Sequence, residues 1–438
     1  MQPRCDSWYH TTRMSWLGLL PGHDRRIDIL SYIRVGEPVR CAARTIHSTW
    51  PTNGPEIHPM KKSPWYAQYS VLGSRVAHLK GQFHVRCTTL GVSLDLVYPD
   101  IWENIVIRAV HESNWQEGVY LERGKTRELA LHVFEDLAGI VGPHLDLSRI
   151  LDSHRRSVVA LKRKNASVEH IAAYNLSAAH WALRRIGSEL AKRQAASLAY
   201  ALREAQHLFR EGATPLPPNR NHADALQRGF EIVDSLLSCN AEIDGPITDG
   251  VRTEGQLLEH LLHLDFADLL HPMRIDYIHF LHQLVMMGIA DPRGCGKFRR
   301  IPVHVGNPDL LIPPPSLVPP LMAEFCKQFP TILPETVKYD PIMVAARVSH
   351  RFVRIHPYRD GNGRVSRLLM NLVLWCHHPP VYLKADKKGR HRYEQALKRA
   401  DRGNLEPLAC LIAMSLIEIY QMMIHAVASD PAKDPRRG

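Results

Sequence analysis

The sequence has few cysteines, and none of them form close pairs. Its eight cysteines are spread over 438 residues, without the short spacings that build zinc sites or redox motifs. The 26 histidines likewise include no His-x-x-x-His or His-Glu-x-x-His arrangement. The sequence therefore predicts reduced thiols and indicates no zinc centre.

Long apolar runs are also scarce. Stretches such as 408–417 are well short of the roughly 18 residues that a membrane-spanning helix needs. The apolar run at 16–20 is too short for a secretory signal, and Pro21 follows it without a small-residue cleavage pattern. We therefore expect an intracellular, cytoplasmic protein that makes no membrane contact.

The formal net charge of +11 weakly favours an anionic ligand such as a phosphate or an acidic protein face. Basic residues cluster at 154–164 and 384–402, but both clusters are more typical of solvated helix faces. Because zinc-finger spacings and aromatic RNA-binding signatures are lacking, nucleic acid is not expected as a partner.

The apolar pattern predicts a mainly helical protein. Helical periodicity begins near Ile101 and recurs over 126–210, 222–270 and 281–289, with a proline-rich linker at 214–221. The first helix places Ser113 and Glu117 on its apolar stripe. Glu117 then either faces inward and needs a charged partner, or turns into solvent at a frayed helix end.

The segment 294–320 differs, because its partial alternation of apolar residues and its Gly-Asn-Pro-Asp turn predict a short β-hairpin. An exposed edge of such a hairpin could pair with an extended peptide. A plain connecting loop is the alternative, which the many prolines suit.

The candidate catalytic segment lies at 356–367, between two predicted helices. Its sequence is His-Pro-Tyr-Arg-Asp-Gly-Asn-Gly-Arg-Val-Ser-Arg. A tight loop that leads into a helix N-terminus is a ready phosphate site, and Gly361 and Gly363 let the backbone approach an anion. Arg364 and Arg367 can clamp phosphate oxygens. Asp360 is suited to Mg²⁺, and His356 is the group able to accept a proton near neutral pH. The motif predicts phosphoryl or nucleotidyl transfer.

This motif resembles that of the Fic (Fido) family, His-Pro-Phe-x-Asp/Glu-Gly-Asn-Gly-Arg-x-x-Arg, with Tyr358 as the one departure. The resemblance extends over about 270–420 and implies an all-α fold, in which a helical Fic core carries a small β-hairpin flap. Further helices and an irregular N-terminal region would precede this core. The implied boundaries are 1–95 unassigned and poorly ordered, 96–267 helical with an inhibitory helix, 268–420 catalytic, and 421–438 a tail.

The family resemblance implies transfer of AMP from ATP to a Ser, Thr or Tyr hydroxyl of a target protein that docks on the 296–320 hairpin. His356 would be the base, and Asp360 would hold Mg²⁺. The nucleotide-binding residues would be Gly361, Asn362, Gly363, Arg364, Arg367 and Tyr393. Tyr393 is equally typical of a core tyrosine.

Family members with an inhibitory helix carry Ser/Thr-x-x-x-Glu-Gly/Asn, which Ser113 to Gly118 matches. The resemblance therefore implies that Glu117 pairs with Arg367 and blocks the γ-phosphate. Gln116 departs from the aliphatic residue that is common there. The sequence leaves open removal of AMP from a modified protein, transfer of UMP or phosphocholine, a non-catalytic nucleotide-binding module, and a homodimer.

Overall fold

The computed structural model describes residues 64–89, 94–138, 140, 145–210, 273–303, 305, 312–329, 340–375 and 377–429. These residues form helices joined by turns and irregular segments, and they contain no strand. The predicted all-α fold class is therefore confirmed. The predicted helical stretch at 222–270 and the linker at 214–221 lie outside the described residues.

Eleven α-helices make up the described part, together with a 3₁₀ turn at Pro315–Leu317. They are numbered here in chain order: α1 Pro64–Thr89, α2 Leu94–Gln116, α3 Arg123–Ala138, α4 Leu147–Arg163, α5 Val168–Arg210, α6 Ile275–Met286, α7 Val318–Gln328, α8 Pro341–Ile355, α9 Asn362–Leu374, α10 Lys387–Ala400 and α11 Glu406–Ser429.

Contacts divide the chain into two compact units. The larger unit contains residues 53–186, 274–327 and 341–438, and it includes every residue of the candidate site. The smaller unit contains 1–52, 187–273 and 328–340, of which the structure describes 187–210, 273, 328–329 and 340.

Helix α9 lies at the centre of the larger unit, and every residue from Asn362 to Leu374 except Gly363 is buried. A helix that is buried on all sides belongs to a core. It packs against α8, α6 and α2, while α11 packs against α1, α8, α10 and α2. The N-terminal end of α9, where the motif lies, is thereby fixed by neighbours on several sides.

The stretch Glu406–Val427 in α11 is long and apolar enough to cross a membrane, with a mean hydropathy of 1.7. It is longer than the run at 408–417, because the apolar residues beyond Ile417 keep the mean high despite isolated polar residues such as Glu418 and Gln421. Since 67% of this stretch is buried inside the protein, packing in the core accounts for its composition.

Three details differ from the sequence-based expectations. Helix α1 lies within 1–95, where no fold was assigned; residues 1–63 lie outside the described residues. Helix α2 begins at Leu94 rather than near Ile101. Helix α11 continues to Ser429, past the predicted start of the tail at 421. The proposed domain boundaries remain predictions.

The described residues of the predicted hairpin at 296–320 contain no strand. Residues 296–303 are irregular, 315–317 form the 3₁₀ turn, and 318–320 begin α7. Pro315 sets the backbone for a helical start, since proline is tolerated in the first turn. The predicted turn at 306–309 lies outside the described residues.

Candidate active site

The loop 356–361 joins α8 to α9, as the apolar pattern predicts. Two of its residues have a left-handed backbone, His356 with φ 49° and Gly361 with φ 79°. Glycine is required at 361 for a second reason: a Cβ atom there would meet the side chain of Met286. A left-handed histidine is uncommon, and such conformations concentrate at functional sites.

The His356 ring is fixed through one of its two nitrogens. Nδ1 lies 3.1 Å from the Val353 carbonyl oxygen, so Nδ1 donates and Nε2 is left to accept a proton. Burial lowers the pKa of His356 and outweighs the hydrogen bond to Val353, which raises it; the Arg299 guanidinium lowers the pKa further, while Glu117 and Asp360 raise it. His356 is therefore neutral at pH 7, which is the form that a general base needs.

The N-terminus of α9 is suited to an anion. Its first intrahelical bond runs from Val365 N to the Gly361 carbonyl, so the N–H groups of 362–364 have no acceptor within the helix. The Arg364 guanidinium is buried, and its Nε has no hydrogen-bond partner among the described residues. Because an unpaired buried donor is costly, Arg364 is suited to a phosphate oxygen.

The Asn362 side chain locks the loop rather than facing outward. Its Oδ1 accepts from Tyr358 N at 3.0 Å, and its Nδ2 donates to the Tyr358 carbonyl at 2.9 Å. Both bonds are buried. The backbone N–H of Asn362 is consequently the group that remains for a phosphate.

Tyr358, the departure from the family motif, has a partner for its hydroxyl group. The hydroxyl lies 2.8 Å from His279 Nδ1, and its ring stacks on His282 at a centroid distance of 3.7 Å. His282 also bonds the Asp360 carbonyl at 3.0 Å and accepts from Gly296 N at 2.8 Å. These histidines were not identified from the sequence, although their three-residue spacing in α6 places them on one helix face.

Asp360 is the candidate magnesium ligand. Its side chain is 63% exposed, and one carboxylate oxygen accepts from Gly361 N at 2.6 Å. Among the described residues there is no group of three or more His, Cys, Asp or Glu side chains that could hold a metal. One exposed carboxylate nevertheless fits Mg²⁺, which commonly binds through one or two carboxylates together with substrate phosphates and water.

Arg367 is buried against the C-terminal end of α2, 250 residues away from Glu117 in the chain. Its Nε donates to Ser113 Oγ at 2.8 Å, and one terminal nitrogen donates to the Ser113 carbonyl at 3.0 Å and to Glu117 Oε1 at 2.6 Å. The pair implied by the family resemblance is therefore present. A Cβ atom on Gly363 would collide with the Glu117 carboxylate, so Glu117 lies directly over the start of α9.

The electrostatics of the Glu117–Arg367 pair favour the ionised form of both side chains. Burial alone would raise the pKa of Glu117, but the charge and hydrogen bond of Arg367 outweigh it, and the pKa lies below its usual value. Burial alone would lower the pKa of Arg367, but Glu117 more than offsets this. The pair is therefore ionised at neutral pH.

The end of α2 is also held to the segment that leads into α10. Gln116 Nε2 donates to the Lys384 carbonyl at 2.9 Å, and Glu112 accepts from Ala385 N at 2.7 Å. Arg390 donates to the Trp115 carbonyl. The hydrogen bond of Gln116 explains why a polar side chain suits this position. Tyr393, also in α10, is buried with its ring centroid 5.9 Å from the Arg367 guanidinium carbon.

Arg299 is a further residue of the site that the sequence analysis missed. It is 4% exposed, and its Nε donates to the His356 carbonyl at 2.7 Å. Nothing in the sequence distinguishes it from the adjacent Arg300, which is exposed. Only the fold brings it to the loop 356–361.

Residues 272–374 match the family model described as the Fic/DOC family. A protein named Protein adenylyltransferase Fic from Drosophila melanogaster is 32% identical over 207 residues, which are 46% of this chain and 40% of that protein. The protein of the same name from Culex quinquefasciatus is 38% identical over 135 residues, or 30% of this chain and 25% of that protein. The chain thus spans less than half the length of these curated relatives.

A solved structure of a Fic domain containing signaling protein from Bacteroides thetaiotaomicron covers 81% of this chain and 98% of its own, with 16% identity and a TM-score of 0.44. The family of this domain follows from the family model and not from this structural likeness. The residues that match the model run from just before α6 to the end of α9 and include the whole motif. Residues 272–374 of this chain therefore form a Fic/DOC-family domain.

Proposed function

We propose that this protein transfers AMP from ATP to a Ser, Thr or Tyr hydroxyl of a target protein, with His356 as the general base. The observation that carries the proposal is that one short loop joins a neutral histidine with an available Nε2 to a helix N-terminus that can hold phosphates. The names of the relatives support the same reaction.

In this reaction the target hydroxyl gives its proton to His356 Nε2 while its oxygen attacks the α-phosphorus of ATP. A bond forms between that oxygen and phosphorus, the bond from phosphorus to the bridging oxygen breaks, and pyrophosphate leaves. The N–H groups at the start of α9 and the Arg364 guanidinium would stabilise charge on the phosphate oxygens. Mg²⁺ held by Asp360 would neutralise phosphate charge.

We also propose that Glu117 restrains this activity. Its carboxylate occupies Arg367 and covers Gly363, so a phosphate approaching either group would have to displace it. The restraint is a competition for one guanidinium, since Arg367 cannot give the same N–H to both anions.

Label transfer from ATP tests the reaction. With ATP labelled at the α-phosphate, label should appear on protein; with ATP labelled at the γ-phosphate, it should not. His356→Ala should lower the rate by about 10²–10⁴-fold, because it removes the positioned base. His350→Ala is a matched control, since His350 lies on the same helix α8 but bonds Asp401. Transfer of the γ-label alone, or full activity of folded His356→Ala, would refute the proposal.

A further inference from the structure

Arg299 is a buried cation whose described hydrogen-bond partners are carbonyl oxygens. Its guanidinium donates to the carbonyls of His356 at 2.7 Å, Ile301 at 3.3 Å and Pro313 at 2.5 Å. Its backbone N–H donates to the Pro357 carbonyl at 2.9 Å. Burying a charge is expensive unless its donors are satisfied, so this set of carbonyls is what makes a guanidinium tolerable there.

These bonds fix the backbone of the base. His356 has a left-handed φ of 49°, a conformation that costs on the order of 1–3 kcal/mol and persists only where its surroundings impose it. Arg299 holds the carbonyls on both sides of the His356–Pro357 bond. The His356 N–H bonds the Phe352 carbonyl, and its Nδ1 bonds the Val353 carbonyl. The backbone N–H, the carbonyl and Nδ1 of His356 thus all form hydrogen bonds. Nε2 is left to accept a proton.

The same guanidinium also holds two carbonyls in the segment 296–320. Ile301 and Pro313 are twelve positions apart in the chain, yet both accept from Arg299. Within the proposed function, this is the segment on which the target protein docks. One side chain therefore sets the position of the base relative to the surface that presents the target hydroxyl.

We propose that Arg299 is a positioning residue for AMP transfer, which joins the His356 backbone to the target-docking segment through its three guanidinium bonds. This inference rests on the proposed function. Lysine could not replace Arg299, because an ammonium group is a compact point charge and lacks the planar fork that reaches three separated carbonyls.

The charge of Arg299 has a second measurable effect, on the pKa of His356, which can be separated from its effect on geometry. The charged groups that influence His356 are Arg299, which lowers its pKa, and Glu117 and Asp360, which raise it. Replacing Arg299 with an uncharged side chain should therefore raise the pKa of His356. Replacing it with lysine should leave the pKa nearly unchanged while still losing the geometry.

The experiment compares Arg299→Met and Arg299→Lys with wild type, with Arg293→Met as control, because Arg293 is an exposed arginine on the turn after α6. Both Arg299 variants should lower kcat by about tenfold to a hundredfold, the effect of a small misplacement of a catalytic group, without changing Kd for ATP. Only Arg299→Met should move the acidic limb of the kcat profile to higher pH. Arg293→Met should behave as wild type.

An unchanged kcat in either Arg299 variant overturns the proposal, as does loss of ATP binding in parallel with kcat. If neither variant folds, Arg299 serves the fold rather than the base, and the proposal also fails. Inactive wild-type protein would count against the proposed function alone. In that event NMR titration of labelled histidine, assigned with His356→Ala, gives the pKa of His356 directly, and an identical value in Arg299→Met overturns the inference.

Discussion

Replacing Glu117 with glycine should strengthen ATP binding and raise self-modification with AMP. The carboxylate lies 2.6 Å from an Arg367 nitrogen, and its side chain is 26% exposed. A charge-assisted hydrogen bond of this kind contributes about 1.5–3 kcal/mol. If the γ-phosphate must displace it, removal should lower Kd for ATP by about tenfold to 150-fold. The bonds from Arg367 to Ser113 remain, so the guanidinium stays in place to receive the phosphate.

Isothermal titration with ATP gives the affinity, and α-labelled ATP gives self-modification. Glu122→Gly is the matched control, because Glu122 is an exposed glutamate at the start of the next helix. Arg367→Ala should not copy the gain, since it would free Glu117 but remove the guanidinium proposed to bind the γ-phosphate. A Glu117→Gly protein with wild-type affinity and labelling would refute the restraint. Lower labelling together with loss of hydrolysis of a modified target would indicate removal of AMP, with Glu117 as a catalytic residue.

Two further predictions concern the metal and acid stability. Asp360→Ala should weaken magnesium-dependent activity, and equal activity with and without added Mg²⁺ would show that the metal assignment is wrong. Burial lowers the pKa of His154 and of His282 from 6.5 to about 4, so the unfolded chain takes up protons first as pH falls. Stability should be complete above about pH 6.5 and decline toward pH 4, by about 2 kcal/mol per histidine at pH 5. Urea unfolding measures this, and a His154→Gln variant that loses as much stability on acidification as wild type would contradict it.

The motif could be located from the sequence because its signals are local. Apolar residues recur at helical spacing on both sides of 356–361, and glycines mark the loop between them. The pairing of Glu117 with Arg367 joins residues 250 apart, so only the family resemblance indicated it. Arg299 gave no signal, because its role depends on carbonyl groups that every residue carries.

Helix α1 was missed although it has a regular apolar face. Tyr69, Val76, Leu79, Phe83 and Cys87 are buried, at spacings of three, four and seven residues. This apolar face is narrow, and two glycines and many polar residues surround it. The helical spacing of the apolar residues is therefore hard to recognise in the sequence. Packing against α11 stabilises a helix that its own sequence only weakly favours.

The attachment of α2 to the segment 384–390 has a kinetic consequence. Glu112, Gln116 and the Trp115 carbonyl hold the helix there by contacts that do not involve Arg367. Glu117 can leave Arg367 by rotating about its own side-chain torsions, a local motion that breaks only its contact with Arg367. Lifting the whole helix would break several hydrogen bonds together and belong to the microsecond-to-millisecond range. If Arg367 binds ATP and Glu117 competes with it as proposed, exchange of the Glu117 side chain should be a rapid pre-equilibrium, and stopped-flow binding should show a single concentration-dependent phase with no lag.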